Sequence, residues 1–135
     1  MPSFEERIDI DAEPDRVWAV VGDLEGIQRW VPGIARVEVD GMRRVCTLED
    51  GRVQHEEISG YSPQARTYNY AIDGGLPVRD NRGSFAVEPS AAGACVVWRS
   101  SFEALDPEAE GEVAGMWKGA LRPILQNLKT VVEAG

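Results

Sequence analysis

The sequence predicts an α+β fold in which a seven-stranded antiparallel sheet is closed over by one long C-terminal helix. Three observations carry this. Val113, Met116, Trp117, Ala120, Leu121, Ile124, Leu125, Leu128, Val131 and Val132 recur at the three-and-four spacing of one helix face. From Ala35 to Glu103 the period changes to two, in short runs punctuated by turn residues. Short connections between successive strands imply antiparallel pairing, and the long apolar stripe of the helix then needs the sheet as its partner.

In chain order, Phe4, Glu6, Ile8 and Ile10 alternate with Glu5, Arg7 and Asp9, which reads as a first strand. Pro14 sits early in a helix that carries Val17, Val20, Val21 and Leu24 on one face. Gly22-Asp23 breaks or bends it, and a second short helix over about residues 24–30 ends at Trp30-Val31-Pro32-Gly33. Six strands follow, over 35–40, 42–49, 52–59, 66–72, 79–88 and 94–103, with turns at Gly41, at Glu49-Asp50-Gly51 and at Gly74-Gly75-Leu76-Pro77. Asp106-Pro107 reads as the cap and first position of the last helix, over 107–134. Gly111, Gly115 and Gly119 fall four apart on it, and Pro123 removes the bond to Gly119, so a kink is expected near 119–123. Two readings of these features stand side by side: plain core packing with a tolerated proline, and a helix that spans a cavity and leaves room in it.

Composition narrows the function. A chain of 135 residues with 43% hydrophobic content suits one folded domain, 1–135. A net charge of −9 argues against binding to nucleic-acid backbones and to anionic membrane surfaces. No apolar run reaches membrane-span length, and no basic segment leads into a long apolar one, so a cytoplasmic protein without secretory leader is expected. Cys46 and Cys95 are isolated, there is one histidine, and no CxxC pair, phosphate loop or nucleophile elbow occurs. Reduced thiols, no metal and no cofactor are therefore expected.

The order of strand, two short helices, six strands and long helix resembles the helix-grip superfamily (SRPBCC, or START-like). That group includes START domains, the birch-pollen allergen fold, bacterial polyketide cyclase/dehydrase proteins and plant abscisic-acid receptors. The residues that carry the resemblance are Ile10-Asp11-Ala12-Glu13-Pro14-Asp15-Arg16-Val17-Trp18, Asp23-Leu24, Trp30-Val31-Pro32-Gly33, Glu57-Ile58, Tyr70, Leu76-Pro77-Val78, Trp98 and Phe102. It covers essentially the whole chain. It implies a strongly curved sheet gripping the helix, with a ligand cavity between them. It implies no single activity, since members bind lipids, hormones or aromatic polyketides and only some are enzymes.

Strand parity suggests what lines such a cavity. Tyr68, Tyr70, Trp98, Phe102, Phe85 and Val87 are expected inside, and parity adds Arg79 and Asn81 to the Phe85 face. Leu76 on its glycine-hinged loop, with Met116, Gly115 and Gly119 on the helix, completes the expected ligand-binding set. On strand 52–59 either Val53, His55 and Glu57 or Gln54, Glu56 and Ile58 face inward. In the first case His55 and Glu57 form a candidate catalytic pair, because an imidazole titrates near neutrality and a buried carboxylate can act as an acid. Otherwise Glu57 pairs with Arg79 or another base. Where the family's cyclases often carry an aromatic residue, this chain has Asn81. The first function expected is binding of a small hydrophobic molecule or lipid, by a monomer or homodimer. The alternative is a cofactor-free polyketide cyclase or dehydratase. A protein-interaction module is a third class.

Overall fold

A computed structural model describes residues 2–135. The element order is β1 (Ser3–Ile10), α1 (Pro14–Val21), a 3₁₀ helix (Leu24–Arg29), β2 (Ile34–Asp40), β3 (Arg43–Leu48), β4 (Val53–Ser62), β5 (Thr67–Asp73), β6 (Val78–Ser90), β7 (Gly93–Ala104), a 3₁₀ turn (Pro107–Ala109) and α2 (Glu110–Ala134). The seven strands form one antiparallel sheet in the order β1-β7-β6-β5-β4-β3-β2. Strands β2 to β7 are thus a meander, and β1 returns to pair with the last of them. This is the curved, helix-gripping sheet that the sequence predicts.

Local chemistry places the breaks. Pro14 occupies the first turn of α1, where its missing N–H is not needed. The helix ends at Gly22, a position that requires glycine because a Cβ there would lie 2.6 Å from the Trp18 ring. Gly41, with φ +62°, turns β2 into β3 in the left-handed region that side chains disfavour. At the far end, the Asp106 carboxylate accepts a bond from the Glu108 N–H at 3.0 Å, so the cap is as expected, although one 3₁₀ turn precedes α2.

Pro123 lies inside α2, which runs unbroken from Glu110 to Ala134. Both Pro123 and Gly119 are exposed, so the proline sits where the carbonyl it leaves unpaired is on the solvent side of the helix.

The core lies between the concave face of the sheet and the helices. Phe85 is its hub, with Trp98, Tyr68, Trp30 and Tyr70 rings at 5.0, 5.4, 5.5 and 5.8 Å. The C-terminal half of α2 buries Leu121, Leu125, Leu128 and Val132 in this core. A polar rim fixes the same half to β1 and α1. Arg122 bonds Glu6 at 3.1 Å, Lys129 bonds the Asp9 carbonyl at 3.1 Å, and Arg16 bonds the Val132 carbonyl at 3.0 Å. The N-terminal half packs through Val113, Ala114 and Trp117, against a smaller cluster built on Val78 and Phe102. Among the described residues no helix is long and apolar enough to cross a membrane.

Candidate functional site

Where the N-terminal half of α2 stands off the sheet, a cavity of about 280 Å³ opens. Its floor is Gln54 of β4, Tyr70 and Ile72 of β5, Asn81 of β6 and Trp98 of β7. Its roof is Val113, Met116, Trp117, Ala120, Leu121 and Ile124 of α2, and Leu76-Pro77 close one side. No lining side chain carries a formal charge. Met116 is 66% exposed although it lines the space, so the mouth lies between Met116 and the Leu76 loop.

The polar groups of the wall differ in one respect. The Trp98 indole N–H donates to the Tyr70 oxygen at 2.8 Å, and the Trp117 N–H donates to Ser100 Oγ at 3.0 Å. Burial pushes the Tyr70 phenol well above its ordinary range, so it stays protonated. Asn81 has no such partner. Its side chain is 1% exposed, and both its Nδ2 and Oδ1 lack a hydrogen-bond partner within the protein. A buried polar atom left unpaired costs about 1–3 kcal/mol.

The structure also explains why the cavity is uncharged. Arg44 and Glu56 point inward, 1% and 5% exposed, and their side chains meet at 2.8 Å. Arg44 also donates to the Leu24 carbonyl, and the Cys46 thiol donates to the other Glu56 oxygen at 3.1 Å. Cross-strand register runs Arg44, Glu56, Ile72, Asn81, so Ile72 stands between the ion pair and the amide. Sequence reasoning left the inward face of β4 open and did not pick out this cluster. Its signal was present in the parity of β4, where Ile58 shares a face with Glu56.

Of the residues expected at the cavity, Tyr70, Leu76, Asn81, Trp98 and Met116 are brought together there. The others lie elsewhere. Tyr68 shares the Tyr70 face but sits deeper, fully buried, filled around by Trp18 and Tyr61 with Arg44 over its ring. Arg79 points out and pairs with Glu103 at 3.2 Å. The register of β6 against β7 shifts between Arg79 and Arg82, where one extra residue on β6 upsets parity, and Asp80 adopts φ +51°. Gly115 and Gly119 are exposed on the outer face of α2, opposite the stripe of Leu121 and Leu125, and nothing lies within 4 Å of a Cβ built on either. They leave no room in the cavity because they do not face it.

His55 and Glu57 are exposed on the convex face of the sheet. Glu57 pairs with Arg43 at 3.6 Å and not with Arg79. They reach a separate surface hollow among Asp73, Asp80 and Arg82, so the inward set of β4 is Gln54, Glu56 and Ile58. This removes the candidate acid–base pair from the cavity.

The same fold occurs in several solved structures. The XoxI protein of Bacillus cereus superposes with a TM-score of 0.88 at 20% identity, covering 98% of this chain and 96% of its own. The di-domain ARO/CYC BexL of the BE-7585A biosynthetic pathway gives 0.84 at 24% identity, over 98% of this chain and 47% of the BexL chain. Ara h 8.0201 gives 0.78 at 21% identity over 99% of both chains. At these identities the likeness is one of fold. No curated protein matches the sequence. The family model described as polyketide cyclase / dehydrase and lipid transport matches residues 1–133, and the chain belongs to that family.

Proposed function

We propose that residues 1–135 act as one ligand-binding domain that holds a neutral, mainly apolar small molecule between the sheet and the N-terminal half of α2. The observation that carries this reading is a 280 Å³ space with uncharged walls and one buried amide whose two polar atoms have no partner. Small-molecule sites have this composition, with apolar lining and a few placed polar groups. Membership of a family described by both cyclisation and lipid transport is consistent with it. The mouth, with an exposed Met116 and the Leu76 loop among its lining, is open to entry from solvent.

A cofactor-free cyclase or dehydratase at the same place needs a group that takes up a proton near neutral pH. The lining offers the Tyr70 hydroxyl, which burial keeps protonated, and two amides. These groups can orient a carbonyl but do not act as a base, so binding is the favoured function.

Native mass spectrometry of the protein purified from its own cell extract tests the proposal. A retained neutral molecule, released by organic solvent and displaced in an Ala120→Phe variant, is the expected result. Protein free of ligand, together with no NMR shift at Tyr70 or Trp98 on titration with neutral bicyclic aromatics, would sink it.

A further inference from the structure

We infer that the ligand presents a hydrogen-bond acceptor and a donor side by side, the edge of a lactam or primary amide, and that Asn81 reads this edge. The inference rests on the binding function proposed above and adds the chemical class of the ligand.

The argument begins with what the amide needs. A carboxamide has donors on nitrogen and an acceptor on oxygen, held in one plane. In Asn81 both ends are buried and both are unpaired. Neighbouring side chains do not satisfy them. No side chain makes a hydrogen bond to either atom, and Ile72 separates Asn81 from the Glu56 carboxylate.

Ligand classes then sort by what they leave undone. A hydrocarbon fills the space but leaves both ends of the amide unmade. A simple ketone or ether satisfies only the nitrogen. A carboxylate or ammonium brings an unpaired charge into uncharged walls, which costs more than an unpaired dipole. A planar donor–acceptor edge meets both ends through two parallel hydrogen bonds. The space, which equals the liquid volume of about nine waters, accepts one fused two-ring molecule of this type.

Calorimetric titration with three probes tests the inference: 2-quinolinone, which has the edge; 1-methyl-2-quinolinone, which lacks the donor; and naphthalene, which lacks both. In the wild-type protein 2-quinolinone should bind at least about tenfold more tightly than either other probe, the scale of one buried hydrogen bond left unmade. In Asn81→Leu the order should reverse in favour of naphthalene. As a measurement independent of that variant's folding, the Asn81 side-chain NH₂ resonances should shift with 2-quinolinone and not with naphthalene. Equal affinity for 2-quinolinone and naphthalene would overturn the inference while leaving cavity binding intact. So would a preference that survives Asn81→Leu. Binding of no probe at all would overturn both.

Discussion

The phenol of Tyr70 and the backbone of Gly83 occupy adjoining space so closely that a Cβ at Gly83 would fall 2.2 Å from the Tyr70 ring. The two residues are cross-strand partners, and the glycine lets the ring lie flat across β6 to reach the Trp98 N–H. One floor strand is therefore shaped for the side chain of its neighbour. Gly83→Ala should force the ring away and break the bond to Trp98, with a loss of about 2–4 kcal/mol from overpacking and an unpaired donor. Urea denaturation would measure it, and a loss below about 0.5 kcal/mol would mean that the ring relaxes freely.

The buried Arg44–Glu56 pair gives a second test. Glu56→Ala leaves a guanidinium buried without its carboxylate and should cost about 3–5 kcal/mol. Replacing both partners together, as Arg44→Met with Glu56→Leu, should recover most of that loss, because the pair's desolvation penalty disappears as well. Equal destabilisation in the single and double variants would show that the pair itself is what holds β3 to β4.

Alkaline pH should weaken the fold. Burial pushes the Cys46 thiol up from 9.0 to about 12, and burial also raises Tyr68 and Tyr70 above 10.0. Below pH 9 each group is protonated in both states and its contribution is complete. As pH rises through 9 and 10 the unfolded chain releases these protons first, so stability falls by about 1.4 kcal/mol per pH unit for each group engaged. Cys46→Ala should flatten the part of the decline that begins near pH 9. A stability flat from pH 8 to 11 would refute the burial of these groups.

The glycines of α2 predict a contrast. Gly115→Ala and Gly119→Ala meet open space and normal helical backbone, so each should stabilise by about 0.4–1 kcal/mol. Gly115→Leu should leave ligand affinity unchanged, whereas Ala120→Phe, on the exposed edge of the cavity lining, should lower it at least about tenfold without unfolding, an affinity change of about 1.4 kcal/mol. Thermal denaturation and titration with 2-quinolinone on the same variants would separate the two faces.

The loop at Gly74-Gly75 is held more firmly than two glycines suggest. Both adopt positive φ, and Arg52 donates to the Gly75 carbonyl at 2.8 Å. Leu76 faces the cavity on one side and a hollow shared with Ile34 on the other, while Trp30 is buried against Phe85. Hydrogen exchange over residues 74–79 should slow when 2-quinolinone is bound and quicken in Arg52→Ala. Rates that ignore both changes would reduce the loop to an ordinary turn.

Most of the architecture was legible because it rests on periodicity. The strand runs, the stop at Trp30-Val31-Pro32-Gly33 and the stripe of α2 each follow from local spacing. The cavity was harder to read for two reasons. Parity fails where the backbone gains a residue, and this misplaced Arg79. The glycine stripe of α2 was read by its own spacing and not by its angle to Leu121 and Leu125, and this misplaced Gly115 and Gly119. The face of β4 depended on a contact across strands, since an inward Glu56 is stable only with Arg44 opposite. A one-dimensional pattern does not contain that pairing.

The extra residue in β6 carries a consequence for how such a pocket changes over generations. With a regular strand, Arg79 would turn inward with Asn81 and place a cation beside the amide. The irregularity depends on Asp80 at φ +51°, a conformation that aspartate tolerates and a β-branched residue resists. A substitution at solvent-facing position 80 that straightens the strand at its present length would thus turn Arg79 inward in place of Val78, whereas loss of residue 80 would restore regular alternation with Arg79 still outside. On the binding function proposed above, discrimination between neutral and anionic molecules would thus depend on the path of the main chain at Asp80 as well as on the residues of the wall.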